Sequence, residues 1–360
     1  MLQHLKNLDW LLAAAATTLV FFGLVSLYGS SGGDELLNFK KQVLWLAIGF
    51  FLMASISFFD YRILKNYTAP IVIFYAICLI LLAGLLAFGA TVRGTESWYK
   101  IGAITVEPVE FEKIAIILLL AKYFSMRHIE MYRIRHIIAS GVYVLLPAIL
   151  VILQREIGSV IVIISTWLGV MAVAGIKVKH LFLLGLLGAI IFLFSWNFLF
   201  HDYQRERLIS FLNPASDPQG AGYNAMQSLI AVGSGGIWGK GLGQGTQTSL
   251  GFLPEPETDF IYAAIVEEMG LIGAAVLLMC FAFLFWRVAK ILQDSHNNFA
   301  RLVAAGFLVM LTSQTFVNMG MTIGITPITG IPLPFVSYGG SGMIALFAML
   351  GILQSIKINK

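Results

Sequence analysis

The chain has 360 residues and a formal net charge of +4; 58% of the residues are hydrophobic, 12% are charged, and the mean hydropathy is +0.85. So little charge cannot cover a soluble protein of this length, which leaves a polytopic membrane protein. The excess of positive charge falls mainly on one side of that membrane and gives no support to nucleic-acid binding.

Apolar windows long enough to cross a hydrocarbon core of about 30 Å lie near 10–29, 43–59, 70–89, 110–126, 137–154, 159–175, 179–200, 260–286, 299–323 and 336–356. Spans of that kind must be helical, because lipid offers no partner to an unpaired backbone group. The expected fold is therefore all-α: ten transmembrane helices in a single integral membrane domain over 1–360, with a large outer loop of about 201–258 between helices 7 and 8. The first window lacks a small-residue cleavage site and is too long for a signal-peptide core, so it reads as a retained helix. Cys78 and Cys280 sit in apolar runs and read as packing residues. With a cytoplasmic N-terminus, fourteen Lys and Arg fall inside and eight outside. Both termini are then cytoplasmic and the long loop faces outward.

In chain order, the first candidate residues are Glu110 and Lys113, which follow Pro108 at the start of the fourth helix. Their i, i+3 spacing puts them on one face as a potential ion pair, and a lysine one turn inside the membrane needs such a partner or a wet cavity. A structural pair and a site contribution are equally good readings.

The outer loop, YQRERLISFLNPASDPQGAGYNAMQSLIAVGSGGIWGKGLGQGTQTSLGFLPEPETDF at 203–260, is too long and too mixed in composition for a mere connector. Its cations Arg205, Arg207 and Lys240 suit a phosphate-bearing ligand, with headgroup anchoring as the plainer alternative. Gln227 and Gln247 join them as candidate substrate-binding residues. The glycine block is no nucleotide loop: Ser234 stands five before Gly239, and Gly241 replaces the magnesium-holding hydroxyl.

Asp259 closes the loop, with Thr258 as its expected N-cap and the acid in the first turn of the eighth helix. It is either a helix-dipole partner or a general base. Glu267 and Glu268 lie deeper, and one of them is expected to pair with a base on another helix, Lys113 first. Before the last helix, GITPITGIPLPFVSYGGSG at 324–342 breaks the backbone at membrane depth and should wall a cavity, where Ser337 and Tyr338 are the polar side chains.

EPVEFEK at 107–113, the loop residues 203–228, the 231–273 block and ITPITGIPLPFVSYGGS at 325–341 together resemble the SEDS family (shape, elongation, division and sporulation proteins) over nearly the whole chain. GIPLPF at 330–335 is closer to its elongation-type than its division-type members. The resemblance implies a peptidoglycan glycosyltransferase of a bacterial inner membrane that polymerises lipid II, a disaccharide-peptide on undecaprenyl diphosphate. It implies an inverting reaction with Asp259 as base, with Glu110 and Lys113 in the site and Arg205 and Arg207 near the diphosphate. It further implies a class B penicillin-binding protein as partner. A divalent cation, magnesium or manganese, is an alternative counter-charge; no nucleotide is expected. The family's usual Gln-Pro-Ser-Glu is Glu107-Pro108-Val109-Glu110 here, its Pro-Asp is Arg155-Glu156, and an arginine common before Trp98 is Ser97. The rival readings are a lipid II flippase, a division-type polymerase and a non-catalytic scaffold.

Overall fold

The computed structural model describes residues 6–30, 36–92, 95–102, 104–126, 134–198, 202–218 and 220–359. Its helices in chain order are α1 (Trp10–Ser30), α2 (Leu37–Phe58), the short α3 (Arg62–Asn66), α4 (Ala69–Phe88), α5 (Pro108–Ser125), α6 (Ile134–Leu153), α7 (Ile157–Ala174) and α8 (Val178–Phe198). They continue through α9 (Asp202–Leu212), α10 (Ala221–Ser234), α11 (Thr246–Ser249), α12 (Ile261–Asp294), α13 (Asn298–Thr322) and α14 (Gly340–Ile358).

Among the described residues, nine helices are long and apolar enough to cross a membrane: α1, α2, α4, α6, α7, α8, α12, α13 and α14. The fold is thus an all-α, polytopic membrane bundle. The 18-residue α5 is as long as the shortest of them but carries Glu110, Glu112, Lys113 and Lys122. It is buried along almost its whole length and packs against α4, α6, α7, α13 and α14. Those charges are buried within the bundle or line its cavity, the settings in which charge is tolerated at membrane depth. At the other extreme, α8 buries none of its apolar window.

Two features differ from the hydropathy reading. Between α4 and α5 runs a three-stranded antiparallel meander, β1 (Ala90–Val92), β2 (Thr95–Ile101) and β3 (Ile104–Val106), with Lys100 opposite Thr105. Strands this short vanish inside a membrane-length window. The outer loop is itself largely structured, through α9, a 3₁₀ turn at Pro214–Ser216, α10 and α11.

The glycine block has a structural task. Helix α12 breaks at Gly270, which takes φ 68° and ψ −167°. The chain from 235 to 241 crosses this break: the amides of Lys240 and Gly241 donate to the carbonyls of Glu267 and Glu268 (both 3.0 Å). In return, the amide of Leu271 donates to the carbonyl of Gly236 (2.9 Å). A Cβ on Gly239 (φ 81°) would stand 2.1 Å from the Glu268 carbonyl oxygen. Only glycine permits this approach, and the contact satisfies backbone groups that the break would otherwise strand.

The start of α1 meets the last turns of α14 and the C-terminal half of α12 through one acid. Asp9 Oδ2 accepts from Lys357 Nζ at 2.9 Å and from the Arg287 guanidinium, while the backbone of Asp9 exchanges hydrogen bonds with the Gln354 side chain (2.7 and 3.0 Å). Helix α14 runs from this cluster to Gly340, so the segments just before it lie at the opposite end of the bundle.

Candidate active site

At that opposite end the β2 strand, the start of α5, the α6–α7 turn, α10, the approach to α12 and the 328–339 segment enclose a cavity of about 390 Å³. Asp259, Glu110, Ser337 and Tyr338 all line it, so four of the residues singled out from the sequence come together. The proline- and glycine-broken segment does form its wall, as its composition predicts.

Asp259 is not in a first helical turn. Helix α12 starts at Ile261, Phe260 occupies the cap position, and no side chain caps it. The acid is braced from outside instead. The amide of the fully buried Asn318 donates to the carbonyls of Asp259 (2.9 Å) and Ile331 (2.8 Å). The Ser337 hydroxyl donates to the Thr258 carbonyl (2.6 Å) and accepts from the amide of Leu333 (2.8 Å). A β-carbon placed on Gly330 would lie 3.4 Å from Asp259 Oδ2. Helix α13 and the proline-rich segment therefore anchor the backbone that carries the acid, and position comes before pKa in what a general base requires.

Tyr338 donates its amide to the Glu257 carbonyl (2.9 Å). Burial, and then the Glu257 charge, push its hydroxyl above the usual range, so it remains a donor at neutral pH. Glu110 and Lys113 form the expected i, i+3 pair at 2.6 Å, both buried. Glu110 faces the cavity and Lys113 stands behind it.

Two basic candidates of the loop, Arg205 and Lys240, lie elsewhere. Arg205 Nε and Nη2 donate to the carbonyls of Trp196 (3.1 Å) and Asn197 (3.3 Å), closing the C-terminal end of α8. Arg207 lies on α9, and its side chain falls outside those described. Lys240 Nζ binds Glu267 Oε1 (2.9 Å) and Thr246 (2.6 Å). This corrects the expected pairing of Glu267 or Glu268 with Lys113: Glu267 takes its cation from the loop, together with the amides of Gln247 (2.9 Å) and Thr248 (3.1 Å). Gln247 is held there by its own backbone, and Gln227 is half-buried on α10 away from the cavity wall.

Glu107, Arg155 and Glu156 enter the wall although they stand out in the sequence only as departures from a pattern. Burial, followed by the charges of Glu156 and Glu110, holds Glu107 well above the usual carboxylate range. Burial also raises Glu156, even though the Ser159 hydroxyl donates to it. Two carboxyls on one wall resist ionising together. Among the described residues, three non-glycine positions have positive φ: Arg155 (64°), Glu255 (48°) and Phe335 (65°). All three line this cavity. Such residues cost about 1–3 kcal/mol each and gather where function over-determines the backbone.

A second compartment of about 260 Å³ adjoins the first, sharing Trp98, Glu107, Glu255 and Tyr338 and adding Lys41 and Lys100. Among the described residues no three His, Cys, Asp or Glu side chains converge closely enough to cage a metal ion. No chemical step is assigned to a metal ion.

The chain matches the FtsW/RodA/SpoVE group of cell cycle proteins over residues 7–360. It is 37% identical over 331 residues to the peptidoglycan glycosyltransferase MrdB of Escherichia coli K12, covering 92% of this chain and 88% of MrdB. A chain from a peptidoglycan synthase complex that coordinates polymerization and crosslinking superposes with TM-score 0.83 at 28% identity, over 98% of both chains. The rod shape determining protein RodA of Thermus thermophilus superposes with TM-score 0.73 at 26% identity, over 97% of this chain and 96% of RodA.

Proposed function

This chain belongs to the FtsW/RodA/SpoVE family of cell cycle proteins, and from that premise we propose that it is a peptidoglycan glycosyltransferase of a bacterial membrane. It polymerises lipid II at the outer face, with both termini in the cytoplasm, in the elongation of the cell wall. The observation that carries this reading is Asp259, an acid whose backbone is cross-braced and which lines a cavity at the end of the bundle opposite the Asp9 cluster.

The acceptor sugar hydroxyl gives its proton to the Asp259 carboxylate as its oxygen attacks the anomeric carbon of the lipid-linked sugar. The bond from that carbon to the diphosphate breaks, and its electron pair leaves with the diphosphate oxygen. The donor's own diphosphate supplies the driving force, so the reaction calls for no nucleotide. One base and one displacement give inversion. Two adjoining compartments provide separate room for the two sugars, and holding both reactants in place is itself a large part of the rate. Tyr338 is placed to donate to a sugar or phosphate oxygen.

The natural partner is a class B penicillin-binding protein that cross-links the emerging strands, in keeping with the similarity to a chain from a synthase complex. The test is polymerisation of lipid II by purified protein. Wild type yields glycan strands, and Asp259→Asn yields none while melting at the wild-type temperature. A flippase would yield no polymer from either. Wild-type strand synthesis by folded Asp259→Asn removes the aspartate from the mechanism.

A further inference from the structure

We propose that Gln314 recognises the 2-acetamido group of the diphosphate-linked sugar inside the Asp259 cavity and thereby selects N-acetylated substrate. The inference rests on the polymerase reading above and names the part of the donor that this site reads.

The wall has polar atoms to spare. Among the described residues, three buried side-chain oxygens of cavity-lining residues lack a hydrogen-bond partner: Ser97 Oγ, Glu156 Oε2 and Gln314 Oε1. The Ser97 hydroxyl stands beside the Glu156 carboxyl, so a donor for that acid is close at hand. Gln314 is a different case. Its side chain is 2% exposed, and a buried amide oxygen left unpaired is costly in any fold. Such a group calls for a partner that arrives with the ligand.

Helix geometry places it with respect to the base. Gln314 comes four residues before Asn318, so the two share one face of α13, a single turn apart. Asn318 is the residue whose amide holds the Asp259 carbonyl (2.9 Å). Gln314 therefore lies one turn deeper in the bundle than the anchor of the acid. On α14, Met343 and Leu346 also line the cavity. Gln314 is eight residues from the end of α13 and Leu346 six from the start of α14, about 12 and 9 Å along the helices. The deep end of the cavity thus combines a side-chain amide with apolar surface.

An acetamido group complements both. Its N–H donates, its carbonyl accepts and its methyl is apolar, while the glutamine amide offers the matching acceptor and donor. In the lipid-linked donor this group sits on the carbon next to the one attacked. A sugar that presents its anomeric carbon to the hydroxyl deprotonated by Asp259 therefore carries its acetamido group beside that centre. A site whose buried amide receives a substrate N–H rejects an analogue that lacks it, because the protein group is then left dry and unpaired.

The test crosses a change in the protein with a change in the substrate. Lipid II bearing a 2-acetoxy ester on the diphosphate-linked sugar keeps the carbonyl and the methyl but has no N–H. Wild-type kcat/KM should fall by about tenfold or more on this ester. Gln314→Leu should lose about as much on ordinary lipid II and should treat amide and ester within about threefold of each other. It should melt in detergent at or above the wild-type temperature, since Oε1 has no protein partner to lose. Gln314→Met carries the same test where branching at that depth prevents folding. The loss should persist on lipid II stripped of its stem peptide. Its disappearance there would make the bound amide a peptide one and overturn the assignment. So would equal losses by Gln314→Leu on amide and ester, the mark of a packing residue, or full wild-type turnover of the ester. Affinities for amide and ester lipid II in Asp259→Asn need no turnover. They report on Gln314 even if wild type yields no polymer, an outcome that counts against the polymerase reading alone.

Discussion

A lysine ammonium one turn into α5 would be costly without a counter-charge, and Lys113 has one in Glu110 at 2.6 Å, with both side chains at least 95% buried. A pair of this kind adds little net stability, because desolvating two charges offsets their attraction. Breaking it is another matter, since the surviving partner is left charged and dry. Lys113→Met is expected to destabilise the protein by about 3–5 kcal/mol, read as a shift in denaturant unfolding in mild detergent. The double variant Glu110→Gln/Lys113→Met should recover much of that loss, and a double variant as unstable as the single would mean that the two do not act as a pair. This contact was legible in the sequence, because i, i+3 spacing on a helix is local geometry. Glu267 was not: its cation, Lys240, is 27 residues away and reaches it only because the intervening chain turns back across α12.

That turn belongs to the scale of elements. In the sequence, the glycines between 233 and 245 say only that the chain bends tightly and that a phosphate loop is absent. What they accommodate depends on Gly270, which breaks α12 from a distance of some thirty residues along the chain. The break frees helical amides and carbonyls, and the glycine block occupies the gap closely enough to pair with them. Neither half explains itself alone, so no reading of local pattern finds the motif. A Cβ on Gly270 would fall 2.3 Å from the Gly239 amide nitrogen and 2.4 Å from the Ile237 carbonyl oxygen, with φ at 68°. Gly270→Ala should therefore be among the most damaging small substitutions in the protein, of the order of 4 kcal/mol or more. The readout is the yield and melting temperature of detergent-solubilised protein. A variant that accumulates and melts like wild type would show that α12 can run straight without the loop, and the account of the glycine block would fail.

Across the whole molecule, hydropathy located the long helices, with the largest misses at the start of α2 (43 against 37) and the end of α12 (286 against 294), because lipid permits one backbone solution per span. It could not locate the small meander, nor tell that α5 is buried along almost its whole length while α8 buries none of its apolar window. Those facts depend on which helix covers which. Closure of the bundle at the end of the termini depends on Asp9, whose partners are 278 and 348 positions away in the sequence. Burial pulls the Asp9 carboxyl upward, but the hydrogen bonds from Lys357 and Arg287 outweigh it and leave the group below its ordinary value of 3.8. A carboxyl with a lowered folded pKa stabilises the folded state fully above the unfolded value, and the stabilisation is lost as pH falls through the folded value. The window is thus acidic, from about pH 4 downward. Melting temperature should be insensitive to this group between about pH 6 and 8 and should fall below about pH 4. Asp9→Asn should lower it already at neutral pH, since Arg287 and Lys357 lose their shared acceptor, and should flatten the acid limb of the profile. An Asp9→Asn profile parallel to wild type from pH 7 to pH 3 would mean that the clamp between α1, α12 and α14 does not depend on the ionised carboxylate.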